Sequence, residues 1–255
     1  MKAPAAVITL CLAALSLPEL PAKQVKLDAA MAQPILMAGA KATTFLKVGL
    51  TGFEFSDQAE TRPPVNVSIV LDKSGSMGGK KMTEAREAAK MAIDRLTKDD
   101  IVSVVTYDST VKVVVPATKV ADKKRIFELI DSVKAGGNTA LFAGVSKGAA
   151  ELRKFLSKEL VNRVILVSDG KANVGPSTPG NLGDLGASLR KEGISVSTLG
   201  LGDGYNEDLM FAIAERSDGN HSFAESGKEL AAIFDNEFGD VLSVVAQEVL
   251  VTIEC

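Results

Sequence analysis

Tryptophan is absent from this chain, and its 255 residues hold only one histidine and two cysteines. The cysteines, Cys11 and Cys255, stand near the two extremes of the sequence. No disulfide can therefore staple the domain between them, and the fold must rest on its core. An exported protein without disulfides is ordinary in bacteria. Long basic tracts are also missing, since Lys123-Lys124-Arg125 reads as the solvated turn of a helix. With 29 Lys and Arg against 32 Asp and Glu, the net charge is −3, which argues against a nucleic-acid partner. Beyond the first residues no apolar run is long enough to span a membrane. What is present, 46% apolar residues over this length, suits one large globular domain with short additions.

The start of the chain has the pattern of an export signal. Lys2 supplies the positive charge, and Ala5 to Leu17 forms a short, mostly apolar run. Ser16, Pro18 and Ala22 offer cleavage positions, as does Ala30-Met31-Ala32 before Gln33. The competing reading is an uncleaved anchor or buried helix. Cys11 follows bulky Leu10 and so is not in a lipoprotein box. Residues 1–32 are read as signal peptide and leader, and 33–63 as a β extension and linker. The main domain takes 64–238, and 239–255 is the end of a helix followed by a strand. The predicted location is the periplasm or cell surface of a bacterium.

From Val65 onward, strand and helix patterns alternate. Strands are predicted at Val65–Leu71, Ile101–Tyr107, Val111–Val115, Val161–Ser168, Ile194–Leu201 and His221–Ala224. Helices are predicted at Lys81–Leu96, Asp122–Val133, Ala140–Leu156, Leu182–Lys191, Asp208–Glu215 and Gly227–Val245. Five parallel strands with crossover helices, plus one antiparallel edge strand from the hairpin ending at Pro116, describe a doubly wound α/β sheet of six strands with helices on both faces. Unbroken apolar runs such as VILVS fit strands buried on both sides. Two further strand patterns, Thr43–Phe55 and Glu248–Glu254, flank the sheet domain. They are expected to pair with each other in a partial second β module, which the chain's end at Cys255 would truncate.

Chemistry concentrates at strand ends. The apolar strand from Val65 ends in Asp72, followed by Ser74 and Ser76 in a glycine-rich turn. These are hard oxygen ligands, suited to a divalent cation and to Mg²⁺ above all. Ligands of open parallel sheets bind at the carboxyl ends of the strands where the strand order reverses. The strand Val161–Ser168 would lie across that crevice, and Asp169 follows it. Between them in sequence, Gly136-Gly137-Asn138 leads to Thr139 at a helix start.

This arrangement of Asp72, Ser74, Ser76, Thr139 and Asp169 resembles the metal-ion-dependent adhesion site of von Willebrand factor type A domains, over about Pro64 to Phe238. The pattern LxSDGxxNxG at Leu166–Gly175 and the loop Gly200–Asn206 are closest to bacterial exported members labelled Ca-activated-chloride-channel-like. The resemblance implies that Ser74 and Ser76 bind the metal directly. It implies that Thr139 joins in the ligand-occupied state, and that Asp72 and Asp169 act through water or hydrogen bonds. Neutral hydroxyls would leave the cation electron-poor, with carboxylates behind them orienting the hydroxyls. Its open position would then prefer a partner protein's Asp or Glu. Mn²⁺ and Ca²⁺ are alternatives to Mg²⁺. A channel activity is not implied.

Other readings compete. Asp-x-Ser-x-Ser can simply cap a turn. Lys73 and Met77 read as loop variables that flank the site or face solvent. The Ser74–Lys81 stretch fails the phosphate-loop pattern, since Lys81 stands where Ser or Thr is needed. Gly200–Gly204 reads as a tight turn, with Asp203 or Asn206 capping the next helix and Asp203 near the metal. A Mg-dependent hydrolase would need a base or nucleophile at the site; the only histidine, His221, falls on the predicted edge strand, which leaves Asp72 or Asp169 as nucleophile. A structural domain with a vestigial site is the third class.

Overall fold

The computed structural model describes residues 25–32, 43–52, 63–202, 205–242 and 251–252. The chain divides into two compact units, Met1–Glu54 with Val245–Cys255, and Phe55–Val244. In the first, strand β1 (Lys26–Met31) runs antiparallel to β2 (Leu46–Thr51), from Lys26 opposite Thr51 to Met31 opposite Leu46. The strand expected around Thr43–Phe55 thus forms, but its partner is a segment read as leader. Leu27, Ala29 and Met31 alternate in β1 as a strand requires, a period too short to stand out beside the export signal. Of the predicted strand Glu248–Glu254, only 251–252 are described, so its pairing lies outside the described residues.

The second unit carries the six-stranded sheet. Its strands are β3 (Val65–Asp72), β4 (Ile101–Tyr107), β5 (Val111–Lys119), β6 (Val161–Ser168), β7 (Ser195–Leu201) and β8 (His221–Ala224). The order is β5-β4-β3-β6-β7-β8, parallel except for β5, which pairs antiparallel with β4 at one edge. Six helices follow: α1 (Lys80–Asp94), α2 (Lys123–Asp131), α3 (Leu141–Leu152), α4 (Pro179–Lys191), α5 (Glu207–Arg216) and α6 (Gly227–Leu242). One face of β3 packs Val65, Val67, Ile69 and Leu71 with α1, α2 and α6. On the other face, Val70 joins Val105 and Tyr107 of β4 and the apolar residues of α3, α4 and α5. Every residue of β3 and β4 is buried, which explains why neither shows polar alternation. Side-chain caps set the starts of α2, α4 and α5, with Asp122, Thr178 and Asn206 accepting from the Arg125, Asn181 and Leu209 N–H groups.

Three local expectations change. Strand β5 continues through Pro116 to Lys119 instead of stopping there. It does so because the β4–β5 register slips between Val104–Val115 and Val102–Thr118, placing Pro116 and Ala117 in a bulge on an edge strand. The freed Ala117 N–H donates to the buried carboxylate of Glu151 at 3.0 Å. Helix α3 ends at Leu152 and not at Leu156, and both Phe155 and Leu156 are exposed in the turn beyond it. Met77 is fully buried and not a loop variable, because the single 3₁₀ turn Gly75–Met77 folds its side chain into the α1-side core.

Candidate functional site

Strand order reverses at β3, whose next strand in sequence, β4, lies on one side and β6 on the other. Leu71 is level with Val167, so Asp72 and Ser168 end their strands side by side. The Asp72 carboxylate is fully buried. Its Oδ1 accepts from the Ser74 N–H at 2.8 Å. Its Oδ2 accepts from the Ser168 hydroxyl at 2.6 Å and from the Tyr107 hydroxyl at 3.2 Å. Past the strand, the Ser74 and Ser76 hydroxyl oxygens stand 3.1 Å apart, the first residue buried and the second exposed.

A second loop is tied to this one through the backbone. The Gly75 N–H donates to the Gly137 carbonyl at 2.9 Å, and Gly136 N–H to the Lys73 carbonyl at 2.7 Å. Gly137 has φ +82°, and a Cβ there would lie 3.1 Å from the Asp108 Cβ, so glycine suits both the turn and the close approach. Thr139, two residues on, is buried. Asn173 from the loop after β6 clamps it. The Asn173 side chain accepts from the Thr139 N–H at 2.9 Å, and the Asn173 N–H donates to the Thr139 carbonyl at 3.1 Å.

Asp169 completes the set. It is fully buried, yet neither carboxylate oxygen has a hydrogen-bond partner among the described residues. The Lys81 ammonium, on the first turn of α1, stands 3.5 Å from Oδ2. Gly170 behind it has φ +72°, and a Cβ would meet the Asn206 carbonyl at 2.8 Å, so the turn after Asp169 admits only glycine. Burial pushes the Asp72 carboxyl above its ordinary range; hydrogen bonds from Ser168 and Ser74 oppose this, and the neighbouring Asp169 charge adds to it. Burial, with Asp72 alongside, also pushes the Tyr107 phenol well up, so it serves as a hydrogen-bond donor.

These residues fit a hard cation. Two buried carboxylates lie beside each other, one of them with unfilled lone pairs, and neutral hydroxyls lie at the same strand ends. Among the described residues no group of three or more His, Cys, Asp or Glu is placed to hold a metal, so a cation here would depend on the hydroxyls.

Asp72, Ser74, Ser76 and Asp169 come to one end of the sheet, and Thr139 sits on the loop strapped to them. Lys73, expected to flank the site, is partly buried and paired with Asp108. Asn206 caps α5 as one of the two expected candidates, while Asp203 lies outside the described residues. His221 is on edge strand β8, three strands from β3. It bonds Thr198 at 2.8 Å and Tyr205 at 2.9 Å. The supporting residues Tyr107, Ser168, Asn173 and Lys81 were not picked out by sequence reasoning. Ser168 and Asn173 lie inside the LxSDGxxNxG pattern and could have been; Tyr107 and Lys81 carry no local signal.

The chain matches the von Willebrand factor type A domain over residues 66–236. The uncharacterized protein YfbK of Escherichia coli (strain K12) is 30% identical over 213 residues, which cover 83% of this chain and 37% of YfbK. The uncharacterized protein sll0103 of Synechocystis sp. is 33% identical over 183 residues, covering 72% of this chain and 43% of that protein. The chain thus spans about two fifths of the length of these curated relatives. Among solved structures, the von Willebrand factor type A protein from Catenulispora acidiphila aligns with a TM-score of 0.69 at 22% identity, over 88% of this chain and 51% of that one. Proximal thread matrix protein 1 from the mussel byssus, solved with a zinc-occupied MIDAS motif, aligns with a TM-score of 0.57 at 23% identity, over 70% and 46%. At these identities the two structures show a shared fold.

Proposed function

Because the chain belongs to the von Willebrand factor type A family, whose domains are commonly metal-dependent protein-interaction modules, we propose that it binds a partner protein through a divalent cation held by Asp72, Ser74, Ser76, Thr139 and Asp169. The observation that carries this reading is the Asp169 carboxylate, fully buried and faced by the Lys81 ammonium at 3.5 Å, yet with no hydrogen bond to either oxygen among the described residues. Such a group is costly to bury unless a cation completes it. Mg²⁺ suits the all-oxygen donors best, with Mn²⁺ and Ca²⁺ as alternatives. The zinc in the mussel protein's motif supports a divalent ion without selecting one.

The chain's own residues would divide the work. Ser168 and Tyr107 hold Asp72 in place and Asn173 holds the Thr139 backbone, so the donors are positioned before any ligand arrives. When bound, the cation supplies an electrophilic position for a carboxylate oxygen of the partner's Asp or Glu. Export to a bacterial periplasm or cell surface belongs to the same proposal. Hydrolysis at the same place is the competing reading; with His221 three strands away, its nucleophile would have to be Asp72 or Asp169.

Thermal unfolding of the chain in EDTA, Mg²⁺, Mn²⁺ and Ca²⁺ tests the cation. A ligand that binds only the folded state raises the melting temperature by mass action. Wild type is expected to respond and Asp72→Ala not to; no response to any ion in either protein overturns the reading. Pull-down that EDTA abolishes tests the partner. Phosphatase or esterase turnover lost with Asp169→Ala would replace binding with catalysis.

A further inference from the structure

We infer that Lys81 is a built-in counter-cation of Asp169, which a divalent cation has to displace, so that this lysine sets the cation concentration at which the site fills. The inference rests on the cation reading of the same site and adds a residue that opposes it.

Lys81 is unlike the other lysines at this end of the sheet. Lys73 is taken by Asp108, Lys80 reaches forward along α1 to Glu84 at 3.2 Å, and Lys171 is exposed. Lys81 instead points inward, with its side chain 24% exposed and its ammonium 3.5 Å from a carboxylate that has no exposure at all. The fold makes room for this. Gly202, just past the end of β7, has φ +79°, and a Cβ there would lie 2.5 Å from Lys81 Cε and 3.1 Å from Nζ. The lysine stem therefore fills the hollow that the glycine leaves.

The contact neutralises charge without filling lone pairs. At 3.5 Å the ammonium is within ion-pair range, but among the described residues neither Asp169 oxygen is hydrogen bonded. An uncompensated buried carboxylate is unfavourable, so the ammonium favours the cation-free fold. A divalent ion held beside Asp169, through a water or directly, would carry twice the charge of the ammonium and repel an ammonium already there. The two positive groups therefore bind Asp169 in competition. By reciprocity, removing the ammonium tightens cation binding, and adding cation loosens the ammonium.

Calorimetric titration of the chain with MgCl₂ and MnCl₂, for wild type, Lys81→Met and Lys81→Arg, reads the first half. Lys81→Met is expected to bind about tenfold more tightly and to melt lower than wild type in EDTA, while Lys81→Arg stays close to wild type. Amine-reactive labelling of the wild type reads the second half without a variant. Lys80, with its side chain 82% exposed, is the internal reference. Lys81 labelling relative to Lys80 is expected to rise when MgCl₂ replaces EDTA. An affinity of Lys81→Met equal to or weaker than wild type overturns the inference while leaving the cation reading in place. If Lys81→Met fails to fold, unchanged Lys81 labelling in a wild type that binds Mg²⁺ does the same. A wild type that binds no cation brings down both.

Discussion

The Ser168 hydroxyl donates a 2.6 Å hydrogen bond to Asp72 Oδ2 across the junction of β6 and β3, joining the ends of two strands whose residues are 96 positions apart. It also accepts from the Gly170 N–H at 2.9 Å, so one side chain fixes both the Asp72 carboxylate and the turn that carries Asp169. Ser168→Ala leaves Asp72 with one donor fewer in a buried setting. A loss of about 1–3 kcal/mol is expected in urea unfolding with EDTA present, together with weaker Mg²⁺ binding. Unfolding indistinguishable from wild type would show that Tyr107 and Ser74 hold Asp72 unaided.

Asp169→Asn should separate stability from binding. The substitution removes a buried charge that has no hydrogen bond among the described residues, and Lys81, partly exposed, can turn to water. The EDTA-treated protein is expected to gain about 1 kcal/mol, read as a rise in melting temperature, and to lose its response to Mg²⁺. A variant that still responds to the ion would remove Asp169 from the donor set.

Glycine at position 144 is a packing requirement. A Cβ on α3 at that point would lie 2.4 Å from Tyr107 Cδ1, and the Tyr107 hydroxyl donates to Asp72. Alanine improves helix propensity by up to about 1 kcal/mol, but overpacking in a core costs about 1–3 kcal/mol. Gly144→Ala is therefore expected to destabilise on balance and to weaken cation binding by moving the ring. A more stable variant in chemical denaturation would refute the clash.

The pH dependence near neutrality should come from His221. Burial lowers its pKa from the ordinary 6.5, with the Glu207 charge pulling the other way. The unfolded chain then takes up a proton before the folded one does. Stability is full above the unfolded pKa and declines as pH falls from there toward the lowered folded value. Denaturation curves from about pH 7.5 down to about pH 5 should show this decline in wild type and a flatter profile in His221→Asn. Equal slopes would assign the dependence elsewhere.

Glu151 tests the bulge in β5. Burial alone would raise its pKa, but hydrogen bonds from Lys154 and the Ala117 N–H outweigh burial and lower it. Its contribution is therefore present above the unfolded pKa of about 4.5 and is lost as pH falls through the folded value. Glu151→Ala also strands the Ala117 N–H, and a loss of about 1–3 kcal/mol at neutral pH is expected in urea unfolding. If the loss persists unchanged in acid, the carboxylate charge is not what holds the bulge.

Much of this was legible because it is local. The run from Val65 to Asp72 announces a buried strand ending in a carboxylate, and Val161–Ser168 with Asp169 does the same. Asp122 and Asn206 announce caps because a cap acts on its own next turn. What failed was set by distant neighbours. Pro116 looked like a stop, but Glu151, 34 residues from Ala117, satisfies the bulge that lets the strand continue. Met77 looked like a variable loop residue, yet it packs into the core that residues of α2 and α6, far along the chain, build on β3.

By itself, then, the sequence determined the alternation of strands and helices and the places of Asp72 and Asp169, the proposed donors, at strand ends, because periodicity and strand termini are properties of residues near one another in the chain. Only the tertiary structure decided that β1 is the partner of β2, that Ser168 and Tyr107 hold Asp72, and that Lys81 is the ammonium facing Asp169. Those pairings depend on strand order and on the hollow at Gly202, which come into being only when segments far apart in sequence pack together.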